Sequence, residues 1–364
     1  MLISALGITG CASRPEALPP DRSGVLPVGA IDPGKAEPMA PETVLVLSGG
    51  GAYGAFGAGF LNGWTQTGER PEFDTVTGIS TGAILATAAF LGTEYDPLLR
   101  EAYTSLETDD VYNPKFVPLA LLSSSLGEQQ PLEDALERLI SDEMIDAVGE
   151  ATRSERALYV GTTNLDTKSF VVWDMGKIAR MPKPTAYTLY RKIILASSSL
   201  PVAYEPVYFE VEVEGQRFAQ MHADGGVISP VFLESWMLSG ADRRQAAQGR
   251  VFLLFNLPFG QPKYKAVDPA LWNISLATLK TTLNSLNANA LQSAFELAKD
   301  YEYLFRYTAV PRSQQETTNP LAFEPEFLRD LFEYGYEQAQ STNAWRKSPQ
   351  PDPTPFDPGD SKDS

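Results

Sequence analysis

A serine flanked by glycines is the clearest candidate for chemistry in this chain. Ser80 lies in the sequence Gly78-Ile79-Ser80-Thr81-Gly82, the Gly-x-Ser-x-Gly pattern of a nucleophile elbow. In such an elbow a strand turns sharply into a helix, and the glycines let neighbouring backbone come close. The serine hydroxyl is then exposed at the N-terminus of the helix, where it can attack a carbonyl carbon. The pattern predicts that Ser80 is a nucleophile and that Gly78 and Gly82 shape its turn.

A glycine-rich loop lies upstream of this elbow, at residues 49–54, and it opens a helix of small residues. Few side chains shield its amides, so the loop can present N–H donors and the positive end of a helix dipole to an anion. The oxyanion that forms when a carbonyl is attacked is such an anion. The loop is therefore a candidate oxyanion hole, with Gly54 shaping the turn.

A serine nucleophile needs a base, and two arrangements are open. The chain has one histidine, His222, so a Ser-His-Asp triad would have to use it. His222 lies two residues before Asp224, and a strand would point both side chains to the same face, which is cramped for a relay. The simpler arrangement is a dyad in which Asp224 takes the proton of Ser80 directly. Gly225 and Gly226 would allow the tight turn that aims Asp224 at Ser80.

Two other interpretations of these motifs have weaker support. The glycine loop also fits the Gly-x-Gly-x-x-Gly pattern of dinucleotide-binding folds, which needs an acidic residue at the end of the second strand. Glu72 and Asp74 come before that strand, and its end carries Ser80 instead. Asp166 is a second candidate for the catalytic carboxylate. It lies in a predicted hairpin turn, and such turns usually lie away from the carboxyl edge of a parallel sheet.

The elements around these motifs predict an α/β fold. Short strands rich in Val, Leu and Thr are expected at residues 44–48 and 75–77, and each runs through glycines into a helix. This order predicts a parallel sheet whose carboxyl edge, the usual ligand site of open α/β folds, carries both motifs. Further strands are expected at residues 157–163, 169–173, 217–221 and 251–257. Helices are expected at residues 55–64, 83–91, 131–140, 187–197, 274–307 and 323–345.

Taken in order, the glycine loop, the Gly-x-Ser-x-Gly elbow and Asp224-Gly225-Gly226 resemble the motifs of bacterial patatin-like phospholipases. Two supporting stretches, residues 163–167 and 196–201, are also similar, and the resemblance covers roughly residues 43–257. It implies a three-layer α/β/α sandwich with a mainly parallel central sheet, to which this chain adds C-terminal helices.

The same resemblance implies an activity and a set of site residues. It implies a dyad of Ser80 and Asp224 that hydrolyses fatty-acyl esters of lipids, so the expected partner is a lipid substrate. It implies an oxyanion hole formed by the glycine loop at Gly49, Gly50, Gly51 and Ala52, chiefly by the amides of the last three. It also implies that Leu200, Pro201 and Val202 line the acyl cleft. One departure is visible, because many relatives carry Arg or Lys at the position of Tyr53. No cofactor is expected, and no metal, since the sequence lacks the Asp-x-Asp-x-Asp-Gly loop or His cluster of a calcium or zinc site.

The start of the chain resembles the lipobox of bacterial lipoproteins. An apolar run at residues 2–9 leads into Gly10-Cys11, and Cys11 is the single cysteine of the chain. A lipidated Cys11 would anchor the protein to a membrane of the bacterial cell envelope. No Lys or Arg precedes the apolar run, so the positive region of a signal peptide is missing, and we expect the true start to lie upstream.

Composition sets the remaining limits. A net charge of -17 argues against a nucleic-acid partner. No apolar run reaches the roughly 18 residues of a spanning helix. The 364 residues, 43% of them hydrophobic, suffice for one large α/β domain with additions. The expected organisation is a signal-like segment (1–11), a Pro-rich tether (12–41), a catalytic domain (42–260), a helical extension packed on the core (261–346) and a disordered tail (347–364).

Several alternatives stay open at this point. An acyltransferase would use the same dyad with another acceptor. A nucleotide-binding protein would use the glycine loop, and a non-catalytic envelope lipoprotein would keep the fold for partner binding. The 274–307 helix is expected to pack on the core, with a lid over the cleft as the alternative. The lipid head group, ester position, chain length and oligomeric state are left open by the sequence.

Overall fold

A computed structural model describes residues 14–114, 125, 127–240, 249–259, 266–311 and 323–349. The predicted lipobox at Cys11 and most of the predicted tail therefore lie outside the described residues. The strands are β1 (Thr43–Leu47), β2 (Thr75–Gly78), β3 (Asn113–Pro114), β4 (Gly127–Glu128), β5 (Ala157–Asn164), β6 (Ser169–Asp174), β7 (Val207–Val213), β8 (Gln216–Asp224), β9 (Arg250–Phe259) and β10 (Leu304–Pro311). The α-helices are α1 (Gly54–Gln66), α2 (Thr81–Leu91), α3 (Asp96–Ser105), α4 (Thr108–Val111), α5 (Gln130–Leu139), α6 (Asp142–Ala151), α7 (Met175–Ala179), α8 (Thr185–Ser198), α9 (Leu271–Asp300) and α10 (Pro325–Ala339).

The central sheet is mainly parallel, as predicted. Its strands follow the order β10-β9-β1-β2-β5-β8-β7, and β6 also pairs with β5. The five strands from β10 to β5 are parallel to one another. The pairs of β5 with β6, β5 with β8 and β7 with β8 are antiparallel. A parallel core therefore carries an antiparallel margin on one side.

Helices cover both faces of the sheet. β1 is fully buried, and its side chains alternate between two separate hydrophobic clusters. Leu45 and Leu47 pack with residues of α1, α2 and α10 on one face. Val44 and Val46 pack on the other face with residues of α9, including Leu291. This alternation follows from the period of two in a strand, and it confirms the predicted three-layer α/β/α arrangement.

Glycines bring α1 and α10 into backbone contact. A Cβ atom built on Gly59 would lie 1.9 Å from the carbonyl oxygen of Phe332, and one on Gly63 would lie 2.2 Å from that of Tyr336. From the opposite side, a Cβ on Gly335 would lie 2.3 Å from the carbonyl of Phe56. The small residues of α1 are therefore required by packing, and α10 is an integral part of the core.

The predicted helix at residues 274–307 is wrong at its C-terminal end. α9 ends at Asp300, Glu302 has a positive φ of 63°, and β10 follows as a parallel neighbour of β9. Phe305 and Tyr307 alternate with less buried neighbours, a strand pattern that the preceding helical repeat obscured. β10 lies within the predicted helical extension (261–346) and pairs with β9 in the central sheet.

Residues 14–41, here called the N-terminal strap, run along the domain instead of forming an extended tether. The strap pairs with the open edge of β6, where the amide of Ile31 donates to the carbonyl of Val172 (2.8 Å). It also pairs with the edge of β8 that β5 leaves unpaired, where the amide of Ala219 donates to the carbonyl of Glu16 (2.8 Å). Unpaired strand edges readily hydrogen-bond to another stretch of backbone. The proline-rich composition of the strap gives no sign of this pairing. No helix in the described parts of the chain is long and apolar enough to span a membrane.

Candidate active site

Two strands end against the same edge of β5 and bring the candidate residues together. β6 occupies one edge of β5, so β2 and β8 must share the other. β2 runs parallel to β5 and ends with Gly78 paired to Val160. β8 runs antiparallel and ends with Asp224 paired to Thr162. With a rise of about 3.3 Å per residue, the two strands stop roughly 7 Å apart, with only Gly161 between their ends.

The predicted nucleophile elbow is present at the end of β2. Ser80 is the N-cap residue of α2 and has φ 55° and ψ -129°, a strained conformation for a residue with a side chain. Gly82 is required by space, because its Cβ would lie 2.5 Å from the carbonyl oxygens of Leu47 and Ser48. Gly78 is required for the same reason, since its Cβ would lie 2.5 Å from the carbonyl of Gly82.

Asp224 is buried and hydrogen-bonded at the end of β8. It is 4% exposed, and its carboxylate accepts a hydrogen bond from the amide of Gly226 (2.7 Å) and lies beside the Ser80 hydroxyl. Burial raises the pKa of Asp224 to about 6, although the Ser80 hydroxyl and the Gly226 amide oppose the rise. A carboxylate with a pKa near 6 is ionised at neutral pH and is basic enough to take a proton from a hydroxyl in a transition state.

The chain turns tightly after Asp224, in the short 3-10 helix Gly225–Val227. Neither glycine adopts left-handed backbone in this turn. Gly225 is required because its Cβ would lie 2.6 Å from the carbonyl oxygen of Gly161. The chain after Asp224 thus passes directly over the gap between the two strand ends.

The glycine loop lies beside Ser80. A Cβ on Gly49 would lie 3.1 Å from the Cβ and 3.8 Å from the Oγ of Ser80. The amide of Gly49 donates to the carbonyl of Pro230 (3.2 Å). Because this amide is already hydrogen-bonded, Gly49 lines the site beside Ser80 and is not the oxyanion donor that was expected. The amides of Gly50, Gly51 and Ala52 donate to no acceptor in the described part of the chain.

Buried polar groups hold this loop in place. The amide of Asn256 donates to the Oγ of Ser48 (2.7 Å), and its Nδ2 donates to the Ser48 carbonyl (2.9 Å). Gly50 packs so closely here that its Cβ would lie 1.8 Å from the Asn256 carbonyl oxygen. Gly54 is equally constrained, because its Cβ would lie 2.1 Å from the Oγ1 of Thr81 at the start of α2.

His222 bonds to neither residue of the candidate dyad. Its Nδ1 shares a hydrogen bond of 2.9 Å with the Oγ1 of Thr162, which also accepts from the indole of Trp173 (2.8 Å). The ring packs against Trp173 and Phe209 and is fully buried. Burial lowers the pKa of His222 to about 4. His222 is therefore a neutral core residue that hydrogen-bonds to neither Ser80 nor Asp224.

Asp166, the rival carboxylate, is engaged elsewhere. Both of its oxygens accept from the guanidinium of Arg14 (2.7 Å each), and one also accepts from the amide of Met221 (2.9 Å). Its function is to fasten the N-terminal strap to the turn between β5 and β6. No group of three or more His, Cys, Asp or Glu side chains in the described segments is placed to hold a metal ion.

Two groups at the site were not predicted from the sequence. The amide of Ser80 donates to the Oγ of Ser197 (3.0 Å), which in turn donates to the carbonyl of Gly161 (2.7 Å). The amide of Thr81 has no acceptor among the residues described, and the residue after the nucleophile supplies an oxyanion donor in other nucleophile elbows. The elbow motif itself could have indicated Thr81, whereas Ser197 is indicated only as one member of the similar stretch 196–201, with no sign of its role.

The turn after α8 lies against the dyad, because the carbonyl of Ser199 accepts from the amide of Asp224 (2.9 Å). Val202, in this turn, is 43% exposed and has a positive φ of 78°, which is unusual for a β-branched residue. The assignment of Leu200, Pro201 and Val202 to the acyl cleft stays a prediction. Tyr53 is buried and packs edge-to-face on Phe327 of α10.

One family model and two known proteins match this chain. The model of the family described as patatin-like phospholipase matches residues 45–236, just over half of the chain, and this range includes Ser80 and Asp224. An uncharacterized protein of Acanthamoeba polyphaga mimivirus is 26% identical over 174 residues, which are 47% of this chain and 56% of that protein. VipD from Legionella pneumophila, known from a crystal structure, aligns with a TM-score of 0.42 and 13% identity over 82% of this chain and 66% of that chain. The chain thus spans about half the length of the curated relative and less than two thirds of VipD.

Proposed function

The chain belongs to the patatin-like phospholipase family, and from this premise we propose that it is a lipid acyl hydrolase of the serine-esterase type. Its substrates would be fatty-acyl esters of phospholipids, lysophospholipids or neutral glycerides. The placement of the Ser80 hydroxyl beside the buried Asp224 carboxylate, at the facing ends of β2 and β8, carries this proposal. A serine held in a strained elbow thereby meets a carboxylate whose pKa suits a general base.

In the proposed acylation step, the Ser80 Oγ attacks the ester carbonyl carbon while its proton passes to Asp224. The negative charge on the carbonyl oxygen is stabilised by the amides of Gly50, Gly51 and Ala52, with the amide of Thr81 at the N-terminus of α2 as a further donor. Collapse of this intermediate breaks the ester bond, and protonated Asp224 returns the proton to the leaving alcohol. An acyl-enzyme ester on Ser80 remains.

Deacylation repeats the chemistry with water as the nucleophile. Asp224 takes a proton from water as the water attacks the acyl-enzyme, and the same amides stabilise the second oxyanion. Release of the fatty acid returns the proton to Ser80. Because only ionised Asp224 can act as base, turnover is expected to rise with pH and to level off above about pH 6.

Lipid-anchored attachment to the bacterial cell envelope is a separate proposal, based on the lipobox resemblance at Cys11. Only residues 12 and 13 separate Cys11 from Arg14, which is bound to Asp166. An anchor on Cys11 would therefore hold the domain close to the membrane surface. Intact-protein mass spectrometry would show the added lipid, and Cys11→Ser should move the protein to the soluble fraction. An unmodified Cys11 in a membrane-bound protein would contradict the proposal.

An acyltransferase is the alternative that uses the same residues, and it differs only in the acceptor that deacylates Ser80. Product analysis with added glycerol or lysophospholipid distinguishes the two, because a transferase forms a new ester instead of free fatty acid. A nucleotide-binding function is less well supported. Asp74 lies at the start of β2, where its carboxylate accepts from the amides of Glu42 and Thr43, far from the carboxyl edge.

Hydrolysis of phospholipid vesicles and of a chromogenic fatty-acyl ester tests the proposed function. The wild type should turn over at least one of them, and Ser80→Ala and Asp224→Asn should each turn over roughly 10³-fold or more slowly. Ser198→Ala is a matched control, because it removes a buried hydroxyl that has no partner in the described structure. Full activity in Ser80→Ala would exclude Ser80 as the nucleophile, and a folded but inactive wild type would favour the non-catalytic alternative.

A further inference from the structure

The break between the ends of β2 and β8 leaves backbone groups that the sheet cannot pair. β2 stops pairing with β5 at Gly78, and β8 begins pairing at Asp224. Between these positions, the carbonyl of Gly161 and the amide of Ser80 have no strand partner. Buried backbone groups of this kind need a hydrogen bond from another source.

A single side chain fills this break. Ser197, near the C-terminus of α8, is fully buried. Its Oγ accepts from the amide of Ser80 (3.0 Å) and donates to the carbonyl of Gly161 (2.7 Å). One hydroxyl thus connects the backbone of Ser80 to β5, at the residue that lies between the ends of β2 and β8.

The location of this bridge bears on the alignment of the dyad. Ser80 is held at φ 55°, a conformation that persists only where the surroundings fix it. The chain after Asp224 rests on the same carbonyl of Gly161, which lies 2.6 Å from the Cβ position of Gly225. The segments that carry Ser80 and Asp224 therefore both contact the carbonyl of Gly161. On the Ser80 side, this contact is made through the Ser197 hydroxyl.

We propose that Ser197 is a positioning residue that holds the Ser80 elbow in register with Asp224. This inference rests on the proposed function, since it concerns the alignment of the same dyad. The Ser197 hydroxyl bonds to two backbone groups, the amide of Ser80 and the carbonyl of Gly161, and so would act on the reaction only through the position of Ser80. Its loss would leave the amide of Ser80 unpaired and free the elbow to relax, and a displacement of about 1 Å at a nucleophile can lower a rate about 10²-fold.

The neighbouring serine provides the control. Ser198 lies one residue along α8, is also buried, and its hydroxyl has no partner within the described residues. Ser197→Ala and Ser198→Ala therefore remove the same atom from the same turn of helix, but only the first removes the bridge. Ser197→Thr keeps the hydroxyl and serves as the rescue variant.

The experiment measures kcat and KM on a fatty-acyl ester together with the fraction of sites that a fluorophosphonate labels. Ser197→Ala is expected to turn over roughly 10- to 100-fold more slowly, with KM within about twofold and with the labelled fraction at saturation unchanged. Ser198→Ala should match the wild type, and Ser197→Thr should recover most of the lost turnover.

Two results would overturn the inference while the proposed function stands. In the first, Ser197→Ala turns over as fast as Ser198→Ala. In the second, Ser197→Ala loses labelled sites in proportion to activity and keeps the rate per labelled site, which is the outcome of a purely structural role. A wild type that neither labels nor turns over would overturn the proposed function and this inference together.

Discussion

At the scale of single residues, burial determines both the chemistry and the stability cost of Asp224. Its pKa is raised from 3.8 to about 6 by desolvation. The folded protein then binds this proton more tightly than the unfolded chain does. Ionised Asp224 therefore destabilises the fold above about pH 6, and the cost disappears as the pH falls toward 4.

Asp224→Asn tests this linkage apart from activity. About two pKa units at 1.36 kcal/mol each set an upper limit near 3 kcal/mol. We expect the variant to have a free energy of unfolding about 1 to 3 kcal/mol higher than the wild type at pH 8, and nearly the same at pH 4, in urea titrations. Asp21→Asn, at an exposed carboxylate, should change neither value. A difference of equal size at both pH values would contradict the raised pKa.

His222 is expected to have the opposite effect on how stability depends on pH. Its pKa is lowered from 6.5 to about 4 by burial, so the unfolded chain binds this proton more tightly. His222 therefore costs stability progressively as the pH falls from 6.5 to 4, up to about 3 kcal/mol. His222→Gln should keep turnover within a few-fold of the wild type and lose less stability than the wild type between pH 7 and pH 4. If a folded His222→Gln variant instead turned over roughly 10³-fold more slowly, that result would favour a Ser-His-Asp triad over the dyad.

At the scale of elements, the contact between α1 and α10 depends on the absence of side-chain atoms. Gly59→Ala would place a methyl group 1.9 Å from a backbone carbonyl of α10, so the helices must separate. The expected cost is about 1 to 3 kcal/mol, measurable by thermal or urea unfolding. Gly149→Ala in α6 is the matched control, because its Cβ would meet its neighbours at 3.4 Å or more. The control should be neutral or more stable, and equal losses in both variants would contradict the packing account.

Strands and helices were predictable where the sequence signal for them is local. β1, β2 and the helices that follow them were located from glycine punctuation and apolar patterning. β10 was missed because its aromatic alternation follows a long helical repeat, and because a strand at a sheet edge depends on a distant partner, here β9. The sequence indicates the turn at Gly225, but the close approach of the Gly161 carbonyl, which requires a glycine there, exists only in the folded protein.

At the scale of the whole molecule, the N-terminal strap closes strand edges that the domain leaves open. The amide of Met39 donates to Trp236 (2.8 Å) and the amide of Ile31 to Val172 (2.8 Å), whereas the amides of Ser23 and Val25 donate only within local turns. Hydrogen exchange should therefore be slow at Ile31 and Met39 and fast at Ser23 and Val25. Exchange of all four amides at the first time point would mean that the strap is a free tether.

The candidate site was predictable in its chemistry but not in its construction. Glycine spacing indicated Ser80, and an Asp-Gly-Gly turn indicated Asp224, because both motifs are short and their residue types are dictated by the reaction. The facts that join them are long-range: β2 and β8 meet on one edge of β5, and Ser197 bridges the break. No local pattern encodes a contact between residues so far apart in the chain.

The most direct test of the account is to find the residue that becomes covalently modified. A fluorophosphonate, which reacts with activated serines, would be incubated with the folded protein, and the adduct would be located by mass spectrometry of peptides. A dyad of Ser80 and Asp224 predicts one adduct per chain, on Ser80, with labelling much slower in Asp224→Asn and unchanged in Ser198→Ala. An adduct on another serine, or labelling of Ser80 at the same rate in Asp224→Asn, would contradict the assignment of nucleophile and base.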